Sequence, residues 1–86
     1  KFDMVKRNYF TGGRLEVGVS LDHGSITENR FYGDFLSLTD TMPLCRALEG
    51  VAYRADAVAA VLASQPMAEM FGGITRDEVL RTIFNQ

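Results

Sequence analysis

Arg14-Leu15-Glu16-Val17-Gly18-Val19-Ser20-Leu21, followed by Asp22-His23-Gly24-Ser25, decides how this chain folds. Leu15, Val17, Val19 and Leu21 alternate with Arg14, Glu16, Gly18 and Ser20, so an extended backbone places every apolar group on one face. The four residues that follow carry turn chemistry, with Gly24 free to take positive φ, and they predict a hairpin into a strand that starts near Ile26. In that next strand Ile26 falls out of step with Asn29, Phe31, Gly33 and Phe35. One extra residue near Thr27 or Glu28, a β-bulge, restores the phase. Upstream, residues 2–10 read as a third strand joined through Thr11-Gly12-Gly13, and the polar Lys6, Arg7 and Asn8 suit an edge position.

From Leu38 onward the period changes from two to that of a helix. A first helix is expected to start after Asp40 or Thr41, with Pro43 in its first turn, and to end at Gly50, turning Leu44 and Leu48 toward the sheet. A second is expected over 55–65, capped by Asp56 or a neighbour and stopped by Pro66, with Val58, Val61 and Leu62 on one stripe. A helical turn at 67–71 stops at Gly72. In the last helix Thr75 and Glu78 have the spacing of a capping box, and Ile74 and Val79 that of a hydrophobic staple. Val79, Leu80, Ile83 and Phe84 form its apolar side. A sheet and a set of helices that each hide one face close as a two-layer α+β sandwich: a three-stranded antiparallel sheet followed by about three helices on one side. That arrangement leaves the other face of the strands to be accounted for.

Eighty-six residues suffice for one core and not for two. At 47% hydrophobic and 23% charged the composition is that of a folded globule. No apolar run reaches the roughly 18 residues that cross a bilayer, and the opening residues, lacking a basic segment followed by an apolar run, are not expected to act as a signal peptide. Nine basic against eleven acidic side chains, with no basic stripe, argue against nucleic acid as a partner. A lone cysteine gives no reason to invoke an oxidising compartment, which makes the cytoplasm the expected location. The chain opens on strand-like residues without an initiator Met, as a domain cut from a longer polypeptide would.

The candidates for chemistry are few. One His, one Cys and scattered carboxylates lack the convergent spacing of metal ligands. His23 sits in a turn, where a solvated imidazole is expected. Cys45, on a short amphipathic helix, reads as a small packing residue unless a neighbour lowers its pKa. Gly12-Gly13 leads into a strand, whereas Gly72-Gly73 leads into a helix but follows a helical turn that it can stop; neither makes a phosphate cradle. Lys1 and Lys6 are the only amine nucleophiles, and no Ser, His and Asp combination suggests a triad. Asp77 and Glu78 are acids where the helix dipole favours them. The least explained string is Phe31-Tyr32-Gly33-Asp34-Phe35. Gly33 fits a close backbone approach and Asp34 a turn bond, and an exposed Tyr32 and Phe35 beside them would also form a docking surface.

Read in order, Gly13-x-Leu15-Glu16-Val17, Gly24-x-Ile26, Tyr32-Gly33-Asp34-Phe35, Leu48-x-Gly50-x-x-Tyr53 and Gly73-Ile74-Thr75-x-x-Glu78 resemble the C-terminal domain of bacterial lipoate-protein ligases. The likeness spans almost the whole chain, and Asn29 departs from it at a position where the family carries an aliphatic residue. The resemblance implies a single accessory domain over residues 1–86 of a two-step ligase. The parent enzyme uses ATP and Mg²⁺ to make lipoyl-adenylate, then passes the lipoyl group to a lysine of a carrier protein. It further implies that the lipoate pocket and essential lysine lie in a large N-terminal domain, the partner of this one. No catalytic, cofactor-binding or metal residue carries over, and lipoyl-carrier proteins are met indirectly. The alternatives are a freestanding protein-binding module or a sulfur-transfer scaffold in which Cys45 holds a persulfide.

Overall fold

The computed structural model describes residues 1–85. Three strands, β1 (Met4–Phe10), β2 (Gly13–Asp22) and β3 (Ser25–Gly33), form an antiparallel sheet in the order β1-β2-β3. The β2-β3 hairpin closes through His23 and Gly24, both at positive φ (52° and 80°), the paired left-handed conformation that matches strand twist. Ser20 pairs with Glu28 and Leu21 with Ile26, so Thr27 is the extra residue the broken phase demands. β1 is an edge strand, as its polar centre suggests.

Four helices follow: α1 (Met42–Leu48), α2 (Ala55–Leu62), α3 (Met67–Phe71) and α4 (Arg76–Ile83). The extra one is α3, the single turn expected at 67–71. It buries Met67, Met70 and Phe71. α1 rests on β3 and α4 on β1 and β2, while α2 contacts α1 and α4. The core between the layers is Leu15, Val17, Val19, Ile26 and Phe31 from the sheet, met by Leu44, Leu48, Val58, Leu62, Phe71, Ile74, Val79 and Ile83. Burying one such side chain stabilises the fold by about 1.5 to 3 kcal/mol.

The helix boundaries differ from expectation for local reasons. Thr41 bounds α1 without a side-chain cap, and the Asp40 carboxylate accepts the Met42 N–H at 2.9 Å in its place. α1 stops at Leu48 because Gly50 is drawn to the sheet, its N–H donating to the Ile26 carbonyl at 2.7 Å. α2 stops at Leu62, and the chain tightens to Gln65 through three-residue bonds ahead of Pro66, which disfavours a helical residue before it. Asp56 does not cap α2. Arg54 occupies that place, and the Asp56 carboxylate, one turn position inside, accepts from the Arg54 Nε at 3.1 Å and the Ala57 N–H at 2.8 Å. The capping box on α4 is complete, with Thr75 and Glu78 each accepting the other's N–H, and Ile74 and Val79 are both buried as the staple requires.

Residues 50–53 run along the outer edge of the first half of β3. Ile26 donates to Val51, and the Tyr53 N–H donates to Gly24 at 2.9 Å, around a bridge between Ser25 and Ala52. The positions Gly24, Gly50 and Tyr53 thus belong to one edge-covering device, which protects half of an otherwise open strand. Tyr53 also pins the C-terminus: its hydroxyl donates to the Ile83 carbonyl at 2.7 Å and its ring lies 4.6 Å from that of Phe84.

Candidate functional site

The exit of β3 is built by a reciprocal grip between two strands. Gly33 takes φ 154°, and its Cα lies so close to the Arg14 carbonyl oxygen that any Cβ would collide with it. One residue on, the Asp34 N–H donates to that same oxygen at 3.2 Å while the Asp34 carboxylate accepts the Arg14 N–H. β3 therefore ends at Gly33, two residues short of Phe35, and the chain is thrown outward.

Of the four residues singled out here, the structure exposes one aromatic and half-buries the other. Tyr32 is 51% exposed on the face away from the helices. Phe35 is half-buried, turned inward onto Phe71 with ring centroids 5.3 Å apart, and Phe71 in turn meets Phe31 edge-on at 5.2 Å. Phe35 thus anchors the loop through Phe71 while its remaining surface faces a concavity beside the loop. The exposed apolar groups are instead Leu36 and Leu38, at 74% and 77%. Two backbone contacts hold them out: the Leu38 N–H donates to the Glu69 carbonyl at 2.8 Å, and the Leu36 carbonyl oxygen presses on Gly72, where a side chain would not fit. Gly72 answers with φ 59° and ψ −122°, outside the left-handed helical basin expected of a simple stop. Periodicity assigns Leu36 and Leu38 to neither a strand face nor a helix stripe. Their signal was an L-x-L pair between a strand's end and a helix cap, matching neither period.

Between this loop and the strand ends lies an open concavity of about 570 Å³, lined among others by Arg14, Tyr32, Phe35, Ser37, Thr39 and Thr41. Its walls offer hydroxyls, an aromatic ring and the Arg14 guanidinium, which is held 3.4 Å from Glu16. Asp40 adds a carboxylate to these walls, so the lining offers both hydrogen-bond donors and acceptors beside the ring of Tyr32. The other candidates lie elsewhere. His23 is exposed in its hairpin beside Asp22 at 3.1 Å. Cys45 is fully buried in α1, and burial pushes its thiol pKa up, the reverse of what a persulfide carrier needs. At the turn before α4 the Gly72 and Ile74 N–H groups donate to the Ala68 and Phe71 carbonyls at 3.0 and 3.1 Å. Among the described residues, no three of His, Cys, Asp and Glu gather as metal ligands do, and no helix is long and apolar enough to cross a membrane.

Residues 1–83 match the family model described as bacterial lipoate protein ligase C-terminus. The chain is 33% identical over 81 residues to a probable lipoate-protein ligase A of Mycoplasma pneumoniae, covering 93% of this chain and 24% of that protein. It is 25% identical over 84 residues to the lipoate-protein ligase LplJ of Bacillus subtilis, covering 98% and 25%. Among solved structures, P. falciparum LipL1 in complex with lipoate shares the fold, with a TM-score of 0.58 at 18% identity over 76% of this chain and 20% of the other. The chain spans about a quarter of the length of the curated relatives it matches.

Proposed function

This chain belongs to the bacterial lipoate-protein ligase C-terminal family, and on that footing we propose that it is the accessory domain of an ATP-dependent lipoate-protein ligase. Its partner is the large catalytic domain, which would bind lipoate, ATP and Mg²⁺. There the lipoate carboxylate attacks the α-phosphorus of ATP and pyrophosphate leaves; a carrier-protein lysine then takes the acyl group and AMP leaves. The present domain supplies neither nucleophile nor base. It closes over the nucleotide side of its partner, keeps water from the acyl-adenylate and completes the geometry of adenylation. Carrier proteins meet it only indirectly, and the cytoplasm is the compartment in which it works.

One observation carries this reading: Leu36 and Leu38 are held outward by an ordered backbone, next to Tyr32 and a polar concavity. Two exposed leucines cost solubility unless something covers them, and rigid presentation lowers the entropy cost of docking. The test is complementation. The 86-residue chain alone should form no lipoyl-adenylate, and it should restore adenylation when added to the ligase lacking it. Tyr32→Ala and the double change Leu36→Ser, Leu38→Ser should weaken that rescue at least tenfold. Adenylate made by the isolated chain, or rescue indifferent to all three changes, refutes the proposal.

A further inference from the structure

The face of the sheet away from the helices carries a second surface. Val5, Arg7 and Tyr9 of β1 point to that side, as do Arg14 of β2 and Arg30 and Tyr32 of β3, in the phase opposite to the buried Leu15, Val17 and Val19. Val5 is 55% exposed and Tyr9 73%. Arg7 and Arg14 are held in place by the same Glu16 oxygen, at 3.0 and 3.4 Å. Tyrosine and arginine on a rigid base are the side chains that most often anchor protein interfaces. The arginines are already ordered, so less rotamer freedom is lost on docking.

Phe2 says what covers this face. Gly18 lies between Val17 and Val19, so a Cβ on it would point away from the helices, and there it would collide with the Phe2 ring. Phe2 thus leaves the phase of β1 and lies on the open side of the sheet, which buries Gly18. In ligases of this family the domain is the C-terminus and about a quarter of the length, so the larger part reaches it through the residues before Phe2. The Phe2 ring on the open face lies next to that connection. A partner tethered there acts at high effective concentration and needs only a modest interface.

We infer that the open sheet face, with Val5, Arg7 and Tyr9 along its β1 edge, seats the larger preceding part of the ligase polypeptide. The inference rests on the accessory-domain reading above but uses a different surface from Leu36 and Leu38. This face is the tethered contact, and the leucine loop, at the far end of the strands, is the part that closes.

Thiol footprinting tests it, since Cys45 is buried and leaves introduced thiols to be read one at a time. Val5→Cys, Tyr9→Cys and the helix-side control Ala60→Cys are each placed in the intact ligase and in the 86-residue chain, and modification is followed by mass spectrometry. The thiols at positions 5 and 9 should react at least tenfold more slowly in the intact ligase, and the one at position 60 equally in both. Equal rates at all three positions, or protection at position 60 alone, overturn the inference. As a second measurement, Arg7→Gln, which keeps a donor for Glu16, combined with Tyr9→Ala should weaken binding of the domain to the ligase lacking it at least tenfold while the domain stays folded by circular dichroism. Unchanged binding overturns the inference while rescue sensitive to Leu36 and Leu38 leaves the accessory reading standing. No rescue by the unmodified domain removes both.

Discussion

The side-chain amide of Asn29, in the middle of β3, donates to the backbone carbonyl of Cys45 in α1 at 2.9 Å, with Asn29 only 1% exposed. Cys45 is among the last four residues of α1, whose carbonyls lack a partner inside the helix, and the Glu49 N–H goes to Arg46 instead. Asn29 therefore satisfies a helix end from across the layer, at the cost of its own Oδ1, which is buried without a protein partner. Asn29→Leu would remove that orphan and create another at Cys45, so a loss of about 1 to 2 kcal/mol is expected. Asn29→Asp buries a carboxylate against a carbonyl and should cost about 3 kcal/mol or more at neutral pH. Urea unfolding of the two variants checks the order. Asn29→Leu more stable than the parent chain would show that the bond to Cys45 contributes nothing.

Gly33 and Tyr32 are adjacent but should behave in opposite ways. Gly33→Ala drives a Cβ into the Arg14 carbonyl at φ 154° and should destabilise by about 2 to 3 kcal/mol. Tyr32→Ala, half exposed, should leave stability within about 0.5 kcal/mol while weakening rescue of the ligase. Thermal melts beside the complementation assay separate the two. Equal stability losses would mean that Tyr32 is part of the fold.

Tyr53→Phe keeps the ring on Phe84 and removes only the bond to the Ile83 carbonyl, so about 1 kcal/mol should be lost. Thr75→Ala breaks one half of the capping box at the other end of α4 and should also cost about 1 kcal/mol. Amide exchange read by NMR should show the loss at 83–85 for the first and at 76–79 for the second. The reverse assignment would contradict the roles given to them.

Burial raises the Cys45 thiol pKa in the folded state, so the folded chain keeps a proton that the unfolded chain gives up. The unfolded thiol titrates near about 8.5, and stability is fully present below that value and falls as pH rises through it toward the folded pKa. Tyr53, raised by the same cause, adds a second fall above about 10. Cys45→Ala should flatten the first part of this decline in denaturant titrations between pH 7 and 10, whatever it does to stability at pH 7. An unchanged slope would place the proton elsewhere.

Much of the architecture was legible in the chain because local periods carry it. The alternation of Leu15, Val17 and Val19, the turn at Gly24, the slipped phase at Ile26 and the Thr75–Glu78 box each lie within a few residues, and each specifies its element without reference to the rest. Tyr32 could be named as exposed for the same reason. Phe35 could not be told from it, since only contact with Phe71, 36 residues on, turns it inward.

What the tertiary structure alone decided are the relations between distant segments. The outward leucines depend on Glu69 and Gly72, the edge cover at 50–53 depends on Gly24 and Ile26, and the place of Phe2 depends on the bare Cα of Gly18. None of these is a periodicity. Each is a backbone group finding its donor, or a ring finding space, across tens of residues, and that is settled only when the layers close.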